Sequence, residues 1–282
     1  MSDPFQEAIN ATLPLLKKIQ SGIKPAPKAP ASALAKLRET AIRQPPKPVL
    51  AARTPKASAP VAAVAPSTTK PAPAGGPWTI ESLRKAVLAC EKCPHLVRSR
   101  TQVVFGVGNP EAELMFVGEA PGADEDAQGE PFVGKAGQLL TKMIQAMGFE
   151  RTDIFIANVL KCRPDTPGAE SGNRKPKPAE MATCLPWLRE QIDLIRPRAI
   201  VALGATAVEG LLGDTSPMRD LRGRWLEFQG IPVMVTYHPA YLLRNQTITE
   251  KRKVWEDMLL VLEKLEKKIS AKQRAFFTKS GE

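Results

Sequence analysis

Residues 114–122, with the sequence Leu-Met-Phe-Val-Gly-Glu-Ala-Pro-Gly, join a short apolar run to an acidic loop. The loop continues over residues 123–134 as Ala-Asp-Glu-Asp-Ala-Gln-Gly-Glu-Pro-Phe-Val-Gly, in which Phe132 is the one aromatic residue. Consecutive apolar residues bounded by turn residues are typical of a buried strand. A polar loop that leaves such a strand is where α/β proteins bind ligands. The pattern predicts a site for a flat, apolar ligand beside a charged group.

Similar apolar runs alternate with helical periodicity along the chain after residue 78. The apolar runs predict strands at residues 113–117, 154–159, 199–203 and 232–236. The helical periodicity predicts helices at residues 80–89, 136–147, 179–194, 205–212 and 249–267. Strands that alternate with helices form parallel sheets covered on both faces. We therefore expect an α/β fold, a three-layer α/β/α sandwich around a four-stranded, mainly parallel sheet.

The first 77 residues differ in composition from the rest of the chain. Residues 1–23 place apolar side chains at helical spacing, which predicts a short amphipathic helix that either frays in solution or docks a protein partner. Residues 24–77 contain 12 of the 27 prolines, which predicts a disordered linker that acts as a spacer or as a weak tether for DNA. We expect one folded domain over residues 78–268 and a flexible tail over residues 269–282.

The formal net charge of +11 indicates a polyanionic partner. Residues 24–77 carry +8 of this charge and residues 1–23 are balanced, so residues 78–282 carry only +3. Nucleic-acid binding by the folded part therefore needs separate support. The sequence has no apolar run of about 18 residues and no secretory signal at its N-terminus, so we expect a cytoplasmic monomer without a membrane span.

Four cysteines are present in the chain. Cys90 and Cys93 form a C-x2-C pair, whereas Cys162 and Cys184 are separated by 21 residues. Nothing in the sequence indicates an oxidising compartment, so metal binding or free thiols are favoured over disulfides. Four thiolates hold either Zn²⁺ or a [4Fe–4S] cluster, and the spacing leaves both open.

Polar residues stand at the carboxyl ends of three predicted strands: Glu119, Asn158 and His238. Each has a structural interpretation by itself, such as a capping amide or a core histidine. The carboxyl ends of parallel strands meet at one edge of a sheet, so we expect the three side chains to converge there. A carboxylate, an amide and an imidazole at one edge predict a functional site.

Five basic residues surround the third cysteine: Lys161, Arg163, Arg174, Lys175 and Lys177. They form either a solvated face or a phosphate-binding surface near the same edge of the sheet. Residues 240–244 place apolar side chains before an arginine, a combination that can enter a duplex and fill the gap left by an extruded base. We expect DNA contacts from Arg163, Arg174, Lys175, Tyr241, Leu242 and Arg244.

Four stretches of the chain together resemble the family-4 uracil-DNA glycosylases. They are GEAPGADEDAQGEPFVGKAG (118–137), NVLKCRP (158–164), GNRKP (172–176) and HPAYLLR (238–244). The resemblance covers residues 78–265 and includes the order of the four cysteines. It implies an α/β/α sandwich around a four-stranded parallel sheet. It also implies a structural [4Fe–4S] cluster, which orders loops near the DNA and is held by Cys90, Cys93, Cys162 and Cys184.

The resemblance further implies an activity, the removal of uracil from single- or double-stranded DNA by cleavage of the N-glycosidic bond. Phe132 then stacks on the uracil ring and Asn158 reads its Watson–Crick edge. The backbone of Glu119, Ala120 and Pro121 lines the pocket.

By the same resemblance, His238 hydrogen-bonds the departing base and Glu119 positions or activates water. Asn173 matches a further asparagine near the site. Glycosidic cleavage develops positive charge on the sugar and negative charge on the base. A carboxylate near the sugar and a donor near the base stabilise the two charges.

The chain departs from the family pattern in three places. Residues 165–171 are extra relative to the shorter spacing common between the last two cysteines, so the loop around Asn173 is expected to differ. Ala-Tyr at residues 240–241 replaces Ser-Ala, which predicts a bulkier DNA-entering loop. Ala120 and the lack of histidine in the extra residues argue against the related branch that crosslinks to uracil.

The alternative to an enzyme is a non-catalytic iron–sulfur module that binds nucleic acid and is associated with replication.

Overall fold

The computed structural model describes residues 78–165 and 173–278. The chain divides into two units, residues 1–66 and 67–282, and every described residue belongs to the second. The amphipathic helix expected at residues 1–23 and the linker expected at residues 24–77 lie outside the described residues, so both stay predictions.

Six strands form one sheet at the centre of the described fold. They are β1 (Val107–Gly108), β2 (Leu114–Gly118), β3 (Phe155–Asn158), β4 (Ala199–Leu203), β5 (Trp225–Phe228) and β6 (Ile231–Thr236). Their order across the sheet is β1-β3-β2-β4-β6-β5. The four central strands are parallel, whereas β1 and β5 pair antiparallel at the two edges.

The four predicted strands are confirmed as β2, β3, β4 and β6, each within one residue of its expected bounds. The expected strand count was too low, because two antiparallel edge strands flank these four. β1 has two residues, too few for a periodic pattern. β5 joins β6 through Gln229 and Gly230, whose φ angles of 51° and 79° match a two-residue hairpin turn.

Helices flank the sheet. They are α1 (Ile80–Leu88), α2 (Pro94–Val97), α3 (Ala123–Gln128), α4 (Lys135–Met147), α5 (Pro178–Ile195), α6 (Ala205–Leu212), α7 (Met218–Leu221), α8 (Pro239–Arg244), α9 (Ile248–Lys264) and α10 (Ala271–Arg274). The five predicted helices are confirmed as α1, α4, α5, α6 and α9. The other five were not predicted and have six residues or fewer, too short for a clear period. Across the described ranges, none of the helices has the length and apolarity that a membrane span requires.

The two faces of the sheet bury separate cores. Met115 and Val117 of β2 pack with α1, α5 and α6 on one face. Leu114 and Phe116 of the same strand pack with α4 and α9 on the other face. Alternate residues of a strand point to opposite faces, so a strand that is apolar throughout requires cover on both sides. The three-layer arrangement is therefore confirmed.

Residues 269–278 pack onto the domain, in contrast to the flexible tail expected from the sequence. The indole Nε1 of Trp255 in α9 donates a hydrogen bond to the carbonyl of Gln273 (2.6 Å), and Nε2 of Gln273 donates one to the carbonyl of Ala146 (2.9 Å). The hydroxyl of Ser270 caps α10. These contacts join segments far apart in sequence, so the expectation is corrected as far as Thr278.

Candidate active site

The carboxyl ends of the central strands open into a cavity of about 490 Å³. β3 and β4 lie on opposite sides of β2, which makes this edge a topological switch point. The structure thus brings the strand-end residues together. The predicted site residues that line the cavity are Glu119, Ala120, Pro121, Phe132, Asn158, Asn173, Arg174, His238 and Arg244.

The side-chain amide of Asn158 and the ring of Phe132 pack against Gly118, at the end of β2, because a glycine has no Cβ atom. A Cβ atom at residue 118 would lie 2.4 Å from Oδ1 of Asn158 and 2.6 Å from Cζ of Phe132. Both distances are far inside van der Waals contact. Any side chain at this position would push the amide and the ring apart, so the glycine determines the geometry of the cavity.

The loop that carries Phe132 is held by Glu125. Oε1 of Glu125 accepts hydrogen bonds from the backbone N–H groups of Val133 (2.9 Å) and Gly134 (3.0 Å), and Oε2 accepts one from Gly122 (3.0 Å). One carboxylate therefore joins the beginning of the loop to its end. Phe132 has a φ of 55°, a left-handed conformation that is strained for an aromatic residue. The three bonds stabilise the loop in that conformation.

Two carboxylates of the acidic run, Glu125 and Asp126, accept hydrogen bonds from the backbone and so have a structural role. Asp126 is buried and accepts hydrogen bonds from the backbone N–H groups of Thr101 (2.9 Å) and Gln102 (3.4 Å). Neither carboxylate was predicted as a site residue. The structural role of Glu125 could have been predicted from its position three residues after Gly122. A glutamate there often accepts a hydrogen bond from the backbone N–H of the residue that begins the helix.

The side-chain oxygen of Asn158 is buried without a hydrogen-bond partner. The residue is 2% exposed, and no other buried side-chain nitrogen or oxygen in the described ranges lacks a partner. An unpaired buried acceptor costs about 1–3 kcal/mol. Because Asn158 lines the cavity, a ligand that presents an N–H donor would satisfy its oxygen.

His238 is fixed in one tautomer by the turn that begins α8. Its Nδ1 accepts a hydrogen bond from the backbone N–H of Ala240 (3.1 Å), so the proton of the neutral ring is on Nε2. Burial and the nearby charge of Arg244 lower the pKa of His238 to about 4. The ring is therefore an uncharged hydrogen-bond donor at neutral pH. It packs 5.5 Å from the ring of Phe132, measured between centroids.

Glu119 follows β2 directly and is half-buried in the cavity wall. Burial raises the pKa of Glu119 above its usual value, while a hydrogen bond with Thr206 and the charge of Lys175 oppose the rise. Nζ of Lys175 also lies 2.6 Å from the carboxylate of Glu209. A carboxylate with a raised pKa accepts a proton more readily than an exposed one, which suits a group that takes a proton from water.

Asn173 lines the cavity, as the sequence predicted. Its Oδ1 accepts a hydrogen bond from Nε of Arg163 (3.0 Å), and the residue pairs with Asp165 in an isolated β-bridge. Its Nδ2 lies 3.1 Å from the position of a Cβ on Gly122. The chain thus returns to the cavity by residue 173, and residues 166–172 lie outside the described part.

The basic residues expected on one surface have three different environments. Lys161 is 1% exposed, so it belongs neither to a solvated face nor to a phosphate-binding surface, the two alternatives that the sequence left open. The guanidinium of Arg174 is held by both oxygens of Glu180 (2.6 and 2.9 Å), which makes it an anchor of the loop at the cavity. Lys175 pairs with Glu209 but is 58% exposed, and its DNA contact stays a prediction.

Helix α8 exposes a different leucine from the one predicted to contact DNA. Leu242 is 5% exposed and packs in the core with α4 and α9, so its expected DNA contact is corrected. Leu243 is 37% exposed and precedes Arg244, which lines the cavity. Consecutive helical residues point about 100° apart, so the two leucines face different sides. The hydroxyl of Tyr241 donates to a carboxylate oxygen of Glu250 (3.0 Å).

All four cysteines line a second cavity, together with apolar and aromatic side chains. Three of the sulfurs accept hydrogen bonds from N–H groups. The pairs are Cys90 with Nε1 of Trp187 (3.4 Å), Cys162 with Nη1 of Arg100 (3.2 Å) and Cys184 with the backbone N–H of Lys161 (3.3 Å). Hydrogen bonds to sulfur are characteristic of iron–sulfur sites, where they tune the cluster.

Burial raises the pKa of Cys184 to about 12 and raises the pKa values of Cys93 and Cys162 as well. Burial therefore favours the neutral form of these three thiols unless a cation shares their cavity. Among residues 78–165 and 173–278, no three or more His, Cys, Asp or Glu side chains are grouped as ligands for a metal ion. The cysteines surround a volume rather than converge on a point.

Residues 105–259 match a family model described as the uracil DNA glycosylase superfamily, and this range contains every residue that lines the first cavity. A type-4 uracil-DNA glycosylase of Thermotoga maritima is 43% identical over 64% of this chain and 91% of the relative. A type-4 enzyme of Archaeoglobus fulgidus is 39% identical over 61% and 87%. A type-5 uracil-DNA glycosylase of Pyrobaculum aerophilum is 31% identical over 55% and 80%.

Proposed function

This chain belongs to the uracil DNA glycosylase superfamily, and on that premise we propose that it removes uracil from DNA by hydrolysing the N-glycosidic bond. The products are free uracil and an abasic site, which is the first step of base excision repair. The enzyme is then a hydrolase of N-glycosyl bonds, and its substrate is uracil-containing DNA.

The unpaired Oδ1 of Asn158 is the observation that carries this proposal. Uracil presents an N–H donor at N3, which can satisfy the buried oxygen, and a carbonyl at O4, which can accept from the amide nitrogen. Cytosine presents an acceptor at N3 and a donor at N4, so it would leave the oxygen facing a lone pair. A site built around such a bond discriminates strongly against bases that lack the donor.

Phe132 supplies the apolar surface for the extruded base. Its ring lies next to the Asn158 amide above Gly118, so a base that stacks on the ring presents its edge to the amide. Stacking of a base on an aromatic side chain contributes about 1–3 kcal/mol. That contribution offsets part of the free energy lost when the base leaves the helix.

His238 is placed to stabilise the departing base. Cleavage leaves negative charge on uracil, partly on its O2 atom. The Nε2–H of His238 is available as a donor, because Nδ1 is already engaged by Ala240. Donation from a neutral imidazole stabilises this charge without prior protonation, which agrees with the lowered pKa of His238.

Glu119 is the carboxylate that serves the sugar side of the reaction. Its negative charge stabilises the positive charge that develops on the sugar, and it can accept a proton from the attacking water. The raised pKa of Glu119 makes it a better proton acceptor than an exposed carboxylate. Asn173 lies at the same cavity and is proposed as a further polar contact to substrate or water.

Helix α8 is proposed to occupy the gap in the DNA. Leu243 is its exposed apolar side chain, and Arg244 follows at the cavity, where it would contact a phosphate of the extruded nucleotide. Leu243 therefore replaces Leu242 as the residue that enters the duplex. Arg163, Lys175 and Tyr241 are proposed to contact the flanking backbone.

We assign the second cavity to a [4Fe–4S] cluster held by Cys90, Cys93, Cys162 and Cys184. Its support is the four thiols around one volume and the three N–H groups that point to sulfur. The bound cluster would cross-link chain segments without transferring electrons, because hydrolysis of a glycosidic bond involves no oxidation or reduction. Cys162 and Cys184 would thereby fix the segment that follows β3 to α5.

The test is a uracil-release assay on oligonucleotides that carry uracil or cytosine at the same position. Wild-type protein should release uracil only. Asn158→Ala should lower the rate by about tenfold to a hundredfold, because one hydrogen bond to the base is lost. Asn109→Ala is the matched control, since Asn109 is an exposed asparagine outside the cavity. A cluster-loaded wild-type protein that binds DNA but releases no uracil would instead support the non-catalytic module.

A further inference from the structure

Lys161 is a buried cation without an anionic side-chain partner in the described residues. The residue is 1% exposed. Its Nζ donates hydrogen bonds to the backbone carbonyl of Asn158 (2.9 Å) and to Oε1 of Gln191 (2.5 Å), both neutral acceptors. Gln191 is itself held, because its Nε2 donates to the carbonyl of Phe105 (2.9 Å). A compensating negative charge nearby stabilises such a buried ammonium.

The cysteine cavity supplies the place for that negative charge. Lys161 lines it, and its backbone N–H donates to Sγ of Cys184 (3.3 Å). Arg100 reaches the cavity from another segment and donates to Sγ of Cys162 (3.2 Å). Four thiolates around a [4Fe–4S] cluster carry a net negative charge, so two cations beside them form an electrostatically balanced group.

The other end of Lys161 reaches the base-reading residue. The carbonyl that its ammonium holds belongs to Asn158, whose side-chain oxygen is the unpaired atom in the active-site cavity. The ammonium therefore restrains the backbone of the last residue of β3, while the side chain of Asn158 lines the active-site cavity. One side chain thus touches both the cysteine cavity and the backbone of the recognition residue.

We propose that Lys161 is a positioning residue that couples the loaded cysteine site to uracil recognition. Its charge is balanced by the cluster, and its hydrogen bond sets the orientation of Asn158. Removal of the cluster leaves the ammonium without a compensating charge. Loss of the cluster therefore weakens base recognition before the domain unfolds. This inference rests on the proposed function and on the proposed cluster.

The test compares Lys161→Met with Lys142→Met, which removes the same charge from an exposed position on α4. Both proteins are purified with their cluster, and iron content and visible absorbance are measured first. Lys161→Met should retain the cluster and shift its reduction potential to a more negative value, because a nearby positive charge is gone. It should release uracil about tenfold more slowly in single turnovers, and free uracil should inhibit it about tenfold less well.

Affinity for DNA without uracil separates positioning from a general structural defect. It should stay at the wild-type value in Lys161→Met, since phosphate contacts do not pass through Asn158. Lys142→Met should match wild-type protein in release, inhibition and potential. Wild-type rates and uracil inhibition in a cluster-loaded Lys161→Met protein would overturn the proposal.

Gln191→Glu provides a second variant in case Lys161→Met does not retain the cluster. The new carboxylate keeps an acceptor for the ammonium but offsets its charge. The variant also loses the hydrogen bond from Nε2 to the carbonyl of Phe105, so the reduction potential and not the release rate is its readout. We expect a more negative potential, and an unchanged potential would overturn the electrostatic role. If wild-type protein releases no uracil, the proposed function fails, while the potentials of the variants still test the charge of Lys161.

Discussion

Replacement of Glu125 by alanine should loosen the loop that carries Phe132. The change removes three hydrogen bonds of 2.9–3.0 Å from backbone N–H groups to one carboxylate. A bond to a charged acceptor contributes about 1.5–3 kcal/mol, and part-buried bonds fall at or below the low end, so the free energy of unfolding should fall by about 3 kcal/mol. The strained φ of Phe132 is then no longer enforced.

The loss of Phe132 orientation should appear in catalysis as well as in stability. If stacking worth about 1–3 kcal/mol is lost, the rate of uracil release at limiting enzyme falls by about fivefold to 150-fold. Glu125→Gln keeps one oxygen for Val133 and Gly134 but turns an NH₂ group toward the N–H of Gly122. It should therefore lose less activity than Glu125→Ala.

Asp126→Ala is the matched control for this prediction. Asp126 is the next residue. It is buried, whereas Glu125 is half-buried, and it also accepts backbone hydrogen bonds, but from Thr101 and Gln102, which do not hold Phe132. Urea unfolding should show comparable destabilisation of the two alanine variants, and single-turnover release at low temperature should be impaired only in Glu125→Ala. Equal loss of release in both variants, or none in Glu125→Ala, would refute the role of Glu125 in holding Phe132.

Four further predictions concern other parts of the site. The lowered pKa of His238 means that the unfolded state binds a proton which the folded state does not, so the free energy of unfolding should fall as the pH drops from about 6.5 to about 4. The expected loss is at most about 3 kcal/mol. His238→Gln should remove this pH dependence in urea unfolding measured at several pH values. The rate of uracil release should decline on the acid side as Glu119 is protonated, at a pH above the usual glutamate value, and a pH–rate profile without this decline in wild-type protein would contradict the role of Glu119. Leu243→Ala should slow release from duplex DNA more than from single strands without changing thermal stability, whereas Leu242→Ala should lower stability by about 2–5 kcal/mol, as measured by urea unfolding. Cys184→Ser should lose iron and visible absorbance, and retention of full iron content would argue against a four-cysteine cluster.

The central strands could be predicted because each is apolar along its whole length. That pattern occurs in parallel strands buried on both faces, and Leu114–Gly118 has no exposed residue. The edge strands were missed for physical reasons. β1 is two residues long, and Trp225–Phe228 is only partly buried, so neither gives a continuous apolar run.

The cavity could be predicted in outline because topology alone gathers strand ends at one edge. Glu119, Asn158 and His238 lie at the carboxyl ends of β2, β3 and β6, strands that are adjacent or nearly so in the sheet. Side-chain directions could not be predicted in the same way. Lys161 lies next to residues expected at the surface, yet it turns inward to Gln191, a residue of α5 distant in sequence.

Side-chain contacts that a periodic pattern does not reveal also decided the outcome for Arg174 and Leu242. Glu180 holds Arg174, and packing against α4 and α9 buries Leu242. A periodicity argument over five residues could not choose which leucine of α8 faces outward. Glu125 was missed because its role depends on the folded path of a loop with little regular structure.

The recognition of uracil N3–H by Oδ1 of Asn158 can be tested most directly with methylated bases as inhibitors. 1-Methyluracil keeps the N3–H donor and blocks only the position that joins the sugar, whereas 3-methyluracil loses the donor. Wild-type protein should be inhibited by 1-methyluracil at least about tenfold more strongly than by 3-methyluracil, and Asn158→Ala should reduce that difference. Equal inhibition of wild-type protein by the two bases, or an undiminished difference in Asn158→Ala, would contradict the assignment of Asn158 as the uracil-reading residue.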